Sequence, residues 1–208
     1  MRGAEMFFPV MLNIEDKKIV VVGGGAVALR KVKALLAYGA GITVISPTFT
    51  EGFDEIWNEV QPIQALYREE LIEDADIVIA ATSSRQVNKN IREHCRKNMI
   101  LCNTADDGEG SDFTVPSTLK RGGLVISVST SGKSPALARK IKDQLEQLFT
   151  EEYGERLELL GVLRGLVLEK CSDEALKRCI LNELTDMSIE ELMERRNRYE
   201  ACDRIQRE

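Results

Sequence analysis

A glycine-rich turn between an apolar run and a helical pattern is the part of this sequence best suited to hold a nucleotide. The apolar residues 19–22 are followed by Gly23, Gly25 and Ala28 at the spacing of a dinucleotide fingerprint. Gly23 allows a tight turn, Gly25 allows a diphosphate to approach the backbone, and Ala28 lets a helix pack closely on a strand. The unpaired N–H groups of that helix would face the phosphates. These residues therefore predict a dinucleotide-binding site.

The fingerprint usually includes an acidic residue about 20 residues further on, which binds the adenosine ribose hydroxyls. Here the second apolar segment, 42–45, leads into Ser46, Pro47 and Thr48, and no acid occupies that position. Two interpretations are open: a phosphorylated ribose, which normally has an arginine nearby, or NAD held by backbone and hydroxyl contacts. Because no Lys or Arg lies between positions 41 and 61, the sequence favours NAD.

Polar residues that could take part in chemistry follow two later apolar segments. Thr82 follows the segment 76–81, and Asp106 follows the segment 99–102 through a short polar stretch. Ligands of parallel sheets bind at the carboxyl ends of strands, so both residues are predicted to lie beside the dinucleotide. Asp106 is a candidate proton acceptor, with Asp107 as the alternative if the register differs by one. A plain turn formed by these aspartates and the next glycine is the other interpretation.

These candidate residues require a sheet whose strands alternate with helices. Apolar runs predict strands near 19–22, 42–45, 63–66, 76–81 and 99–102. Helical patterns follow the glycine turn and recur near 51–60 and 86–97. This order predicts an α/β fold with a Rossmann-type parallel sheet covered by helices.

The pattern changes after residue 112. Short strands are predicted on either side of Gly122 and Gly123, which suggests a hairpin. Ser134 and Pro135 have the residue types of a helix start, and apolar residues recur at helical spacing as far as Leu148. From residue 153 onwards the apolar residues recur only at the spacing of helices. We therefore expect three parts, 1–112, 113–150 and 151–208.

Composition and charge exclude several classes of function. The chain has 208 residues, of which 43% are hydrophobic, and no apolar run approaches the roughly 20 residues that span a bilayer. The first eleven residues lack the pattern of a signal peptide, so a cytoplasmic protein without membrane contact is predicted. A net charge of −6 without a basic block argues against nucleic acid as a partner. Five cysteines without a CxxC pair favour reduced thiols over disulfides or a metal site.

Several motifs together resemble one family, the precorrin-2 dehydrogenases, also called siroheme synthase amino-terminal domains. Besides the glycine turn, the residues that carry the resemblance are Phe8, Pro9, Leu12, Arg30, Lys31, 80–82, Asn88, 103–106, 113–116 and 129–139. The last string is the most specific. A generic Rossmann protein has no reason to place a Ser/Gly turn, a Ser-Pro helix start and Ala-x-Ala-Arg after its sheet. The resemblance covers roughly residues 7 to 150.

The resemblance implies an NAD-dependent oxidation of precorrin-2 to sirohydrochlorin in siroheme, and hence tetrapyrrole, biosynthesis. It also implies a homodimer, with 113–150 as the dimerisation region and 151–208 as a small helical domain. By motif position, the residues expected to contact NAD are Gly25, Ala26, Val27, Pro47 and Thr48. The missing acid after the second strand agrees with the family pattern. The chain lacks the methyltransferase domain fused to some relatives, so we expect another protein to methylate the precursor.

The substrate of the family is a polycarboxylate, which needs cations and N–H donors. Lys133, Arg139 and the amino end of the helix at Ser134 are the expected binding groups. Asp106 matches the acidic position of the family motif and is therefore the expected catalytic base. Thr130 aligns with a hydroxyl that the family can carry in modified form.

Two other functions fit the same residues. A bifunctional dehydrogenase and sirohydrochlorin ferrochelatase would use Asp106 in both steps and would need no metal-ligand cluster, because the macrocycle supplies the nitrogen ligands. A non-catalytic, NAD-sensing regulatory module would have no role for the 129–139 string. Such modules also usually carry the acid that is missing here after the second strand.

Overall fold

The first half of the chain forms the parallel sheet that its alternating pattern predicts. The computed structural model describes residues 7–105 and 110–205. Within them the strands of this sheet are β1 (Ile19–Val22), β2 (Ile42–Ile45), β3 (Gln61–Ile63), β4 (Ile77–Ala80) and β5 (Leu101–Thr104). Their order is β3-β2-β1-β4-β5, and all neighbours are parallel. The strand order therefore reverses between β1 and β4, where open α/β sheets bind their ligands.

Helices cover both faces of this sheet. They are α1 (Ala26–Leu36), two 3-10 helices (Glu51–Glu59 and Glu69–Leu71) and α2 (Arg85–Lys97). Because side chains alternate along a strand, Val21 packs towards Val32 of α1 on one face. Val22 packs with Ile91 of α2 on the other. The Rossmann-type fold class is thus confirmed, whereas the helix expected near 51–60 has 3-10 geometry.

Two strands lie at positions that differ from the sequence-based prediction. β5 begins at Leu101 because Met99 has a φ of 57°, a left-handed conformation that a strand cannot contain. It includes the polar residues Asn103 and Thr104, which remain buried because Phe113 and Ser111 accept or share their hydrogen bonds. β3 ends at Ile63 rather than continuing to 66, since the N–H of the next-but-one residue, Ala65, turns back to the Ile63 carbonyl.

The second half of the chain contains the predicted hairpin and helices. Strands β6 (Ser117–Arg121) and β7 (Leu124–Val128) are antiparallel, and Gly122 has a φ of 53° at the turn between them. The segment 113–116, expected as a strand, is not one. The helices are α3 (Pro135–Leu148), α4 (Glu152–Lys170), α5 (Glu174–Leu184) and α6 (Ile189–Ile205). The hydroxyl of Ser134 caps α3 by accepting a hydrogen bond from the Leu137 N–H at 3.2 Å.

The chain divides into two compact units, Met1–Val115 and Pro116–Glu208. The first contains the parallel sheet. The second contains the hairpin and a helical core around Leu163, Val167, Leu184 and Leu192. In the described ranges, no helix combines the length and apolar character needed to cross a membrane.

Candidate dinucleotide site

A cavity of about 910 Å³ lies at the carboxyl ends of β1, β2 and β4 in the first unit. Its wall is built from the glycine turn, the segment after β2 and the segment after β4. All of the residues that the sequence predicted as cofactor contacts line it: Gly23, Gly25, Ala26, Val27, Pro47, Thr48 and Thr82. The fold thus brings residues that are far apart in the sequence to one cavity.

The three glycines of the turn differ in what they require. Gly23 has a φ of 128°, and a Cβ atom there would collide with the carbonyl group of Ala81. A Cβ atom on Gly24 would collide with the carbonyl oxygen of Thr48. Gly25 has a φ of −87°, and a Cβ atom there would meet no atom of the described residues within 4 Å. Packing of the protein itself therefore explains Gly23 and Gly24, and leaves open space beside the backbone at Gly25.

Helix α1 begins at this open space with its amide groups uncapped. Gly25 is the N-cap residue, so no side chain caps the helix, and the first turn contains no acidic residue. The first intrahelical bond runs from the Leu29 N–H to the Gly25 carbonyl at 3.0 Å. The N–H groups of the first turn have no partner within the helix, and the helix dipole adds positive potential there. An anion such as a pyrophosphate fits this helix end.

The segment after β2 forms the second side of the cavity. Ser46 is buried, and its hydroxyl donates a hydrogen bond to the Thr48 carbonyl oxygen at 2.6 Å. The hydroxyl proton of Ser46 is therefore already used within the protein. Among the described residues that line the cavity, none is Lys, Arg or His.

The segment after β4 is held by a residue whose contacts could not be predicted from the sequence. Asn88 of α2 is buried, and its side-chain amide bonds to three groups of Thr82. Its Oδ1 accepts from the Thr82 N–H at 3.1 Å and lies 2.7 Å from the Thr82 hydroxyl oxygen. Its Nδ2 donates to the Thr82 carbonyl oxygen at 3.1 Å. A single asparagine therefore fixes the backbone at this wall of the cavity.

Tyr67 supplies a neutral polar group to the same cavity. Its hydroxyl oxygen is buried and has no hydrogen-bond partner among the described residues. Burial raises the pKa of Tyr67 to about 12, and the nearby Glu69 carboxylate adds to the shift. Tyr67 is therefore a protonated phenol at neutral pH.

The carboxyl end of β5 is tied to α1 by a lysine. The Lys31 ammonium group donates to Asn103 Oδ1 at 2.8 Å, and Asn103 Nδ2 donates to the Phe113 carbonyl at 2.9 Å. Burial lowers the pKa of Lys31, and the positive charge of Arg30 adds to the effect. The candidate base Asp106 lies outside the described residues.

The two predicted substrate-binding cations belong to the second unit. Lys133 lies in the turn before α3, where its N–H donates to the Thr130 carbonyl at 3.0 Å, and Arg139 lies on α3. Both side chains are exposed. The described residues include no cluster of three or more His, Cys, Asp or Glu side chains that could hold a metal ion.

Comparison with known families supports a nicotinamide cofactor. The family model described as "Putative NAD(P)-binding" matches residues 10–117, which contain every cavity-lining residue. A second model, described as "Sirohaem biosynthesis protein central", matches residues 121–148, the hairpin and α3. The order of the two models follows the order of the two units.

Individual proteins are similar over nearly the whole chain. The siroheme synthase of Psychrobacter cryohalolentis is 32% identical over 96% of this chain, and that of Nitrosomonas eutropha is 35% identical over 83%. The chain spans only 38% and 37% of those two proteins. The solved structure of SirC, a precorrin-2 dehydrogenase, matches 93% of this chain and all of its own, with a TM-score of 0.77 and 28% identity. The chain therefore belongs to the family shared by siroheme synthases and precorrin-2 dehydrogenases, which is built on an NAD(P)-binding domain.

Proposed function

We propose that this protein is an NAD-dependent dehydrogenase that oxidises precorrin-2 to sirohydrochlorin in siroheme biosynthesis. The observation that carries the proposal is the open, uncapped amino end of α1 at Gly25, inside a cavity formed where the strand order reverses. A dinucleotide pyrophosphate fits this position by shape and charge. The similarity to SirC over both units supports the choice of substrate.

The cavity favours NAD over NADP. A 2′-phosphate on the adenosine ribose is usually accommodated by an arginine near the end of the second strand. No cationic side chain is among the described residues that line the cavity. The Ser46 hydroxyl, which could otherwise donate to a phosphate, already donates to the Thr48 carbonyl. A 2′-phosphate would find no cationic partner among the described residues that line the cavity, whereas an unphosphorylated ribose needs none.

The chemistry divides between the cofactor and the chain. A bound nicotinamide cofactor would supply the acceptor for the hydride that leaves the substrate. The glycine turn and α1 hold the pyrophosphate, and the Asp106 carboxylate takes the proton that leaves the macrocycle. Lys133 and Arg139 bind substrate carboxylates, for which an ammonium and a guanidinium group are suited.

The second unit supports a homodimer as the active form. Its two-stranded sheet packs against α3 of the same chain. Apolar side chains of β7 nevertheless remain only half-buried. Leu137 and Leu148 of α3 are 49% and 67% exposed. The hairpin packs on α3 and on the first turns of α4, yet these contacts leave the apolar side chains above partly exposed, and a second copy of this region would cover them. We place this dimer in the cytoplasm, as the sequence predicts.

Turnover tests the proposal. The protein is incubated anaerobically with precorrin-2 and NAD, and NADH formation and the sirohydrochlorin spectrum are followed together. Both signals should rise only when protein, substrate and NAD are all present. Asp106→Asn should retain NADH binding and lose turnover. Binding of NADH without any turnover by the wild type would instead favour the regulatory module. Acceleration of ferrous ion insertion after oxidation would show the additional chelatase activity.

A further inference from the structure

Asn88 and Thr82 are joined by hydrogen bonds in which the two backbone groups of Thr82 fix the orientation of the Asn88 amide. The Thr82 N–H must donate, so the side-chain atom 3.1 Å from it is the Asn88 oxygen. The Thr82 carbonyl must accept, so the atom 3.1 Å from it is the Asn88 nitrogen. The two backbone groups thus fix which way the Asn88 amide points.

This orientation determines what the Thr82 hydroxyl can do. Asn88 Oδ1 at 2.7 Å and the Ser84 carbonyl oxygen at 3.1 Å are both acceptors only, so the single proton of the Thr82 hydroxyl is directed to them, with Asn88 Oδ1 the nearer of the two. The Ser84 N–H then donates to the Thr82 hydroxyl oxygen at 3.2 Å. A hydroxyl oxygen accepts two hydrogen bonds, so one acceptor position remains at a residue that lines the cavity.

The hydrogen bonds between Asn88 and Thr82, which we call the latch, also bear on the glycine turn. The Ala81 carbonyl and the Thr82 nitrogen are the groups that leave no room for a Cβ atom on Gly23. Fixing Thr82 therefore fixes the spacing between the β4 end and the turn that begins α1. Asn88 is itself buried and is not among the cavity-lining residues, so it acts on the cavity through Thr82.

We propose that Asn88 is a positioning residue which holds Thr82 as an acceptor-only group for a hydrogen-bond donor of the cofactor. This inference rests on the proposed dinucleotide binding. The donor is a ribose hydroxyl or the nicotinamide carboxamide, both of which carry a proton to give. At Thr82 the cavity therefore favours a ligand group that donates a hydrogen bond over one that can only accept a hydrogen bond.

The test compares four variants of the full chain by their dissociation constants for NADH and ADP-ribose and by their unfolding in urea. Asn88→Ala removes the latch, and Thr82→Val removes only the hydroxyl while leaving the backbone bonds of the latch. Thr82→Ser keeps the hydroxyl. Asn90→Ala, on an exposed position of the same helix, is the matched control.

Thr82→Val should weaken NADH binding by about threefold to tenfold, the range for one hydrogen bond, with little change in stability. Thr82→Ser should bind like the wild type, and Asn88→Ala should weaken binding at least as much as Thr82→Val. An equal loss with ADP-ribose assigns the donor to a ribose hydroxyl, and a loss confined to NADH assigns it to the carboxamide.

Two results would overturn the inference in different ways. If the wild type binds NADH but Asn88→Ala and Thr82→Val bind it equally well, the latch is only structural and the proposed function stands. If the wild type binds neither NADH nor ADP-ribose, the proposed function and this inference fall together.

Discussion

The carbonyl group of Ala81 occupies the space that a side chain on Gly23 would need, while a Cβ atom on Gly25 would contact none of the residues that the structure describes. Two positions of the same fingerprint therefore require glycine for different physical reasons. Gly23 is required by packing between β1 and β4 and by its φ of 128°. No contact with residues 7–105 or 110–205 requires a glycine at position 25, which points to a ligand beside its backbone.

Substitution of each glycine by alanine should distinguish a packing requirement from a ligand-binding requirement. Gly25→Ala should leave the free energy of unfolding within about 1 kcal/mol of the wild type and weaken NADH binding at least tenfold, because the new methyl group meets the pyrophosphate. Gly23→Ala should destabilise the fold by several kcal/mol, on the order expected for overpacking with backbone strain. Urea unfolding and NADH titration measure both. Unchanged NADH binding in Gly25→Ala would place the pyrophosphate elsewhere.

The carboxylate of Asp76, directly before β4, makes the free energy of unfolding depend on pH. Its carboxylate accepts from the Lys18 N–H at 2.9 Å and from the Lys17 ammonium at 3.2 Å, and these bonds hold its pKa below the ordinary value. A lowered pKa means that the stabilisation is present above the unfolded value of about 3.9 and disappears as pH falls through the folded value. Asp76→Asn should therefore be less stable than the wild type near neutrality.

The difference in free energy of unfolding between Asp76→Asn and the wild type should shrink as pH falls below about 4, because the wild-type carboxyl group then also becomes neutral. Urea unfolding at a series of pH values measures it. Glu59→Gln, which changes an exposed carboxylate, is the control and should show no such trend. A difference that stays constant with pH would show that the charge of Asp76 contributes nothing.

Leu163 tests whether the helical core is separate from the dinucleotide site. It is fully buried among the helices of the second unit, and truncation to alanine should cost about 2–5 kcal/mol. The described residues that line the cavity all belong to the first unit, so the dissociation constant for NADH should not change while the protein remains folded. Leu168→Ala, on an exposed part of α4, is the control. Weaker NADH binding in Leu163→Ala would show that the helical core supports the site.

The sequence predicts β1, β2 and β4 well because their apolar runs are buried on both faces, as central parallel strands must be. The edge strands are harder to predict. At β5 the residues Asn103 and Thr104 look like a loop, and only hydrogen bonds to residues ten and seven positions later make them acceptable in a strand. Those bonds depend on tertiary structure, which periodicity does not contain.

The candidate site shows the same limit. Spacing alone identifies the glycine turn, because its mechanism is local. The role of Asn88 depends on α2 packing beside the end of β4, so the sequence could include it in a motif but could not assign it a contact. A buried asparagine in the first turns of a helix, just after a strand of the predicted site, is the signal that could have identified it.

The most direct test of the account measures the stoichiometry of oxidation. Precorrin-2 is added in limiting amounts, without oxygen, to the protein with NAD or with NADP, and the yields of reduced cofactor and sirohydrochlorin are compared. We expect one NADH for each sirohydrochlorin formed, with NAD strongly preferred over NADP. Sirohydrochlorin formed without reduced cofactor, or no product with either cofactor, would contradict it.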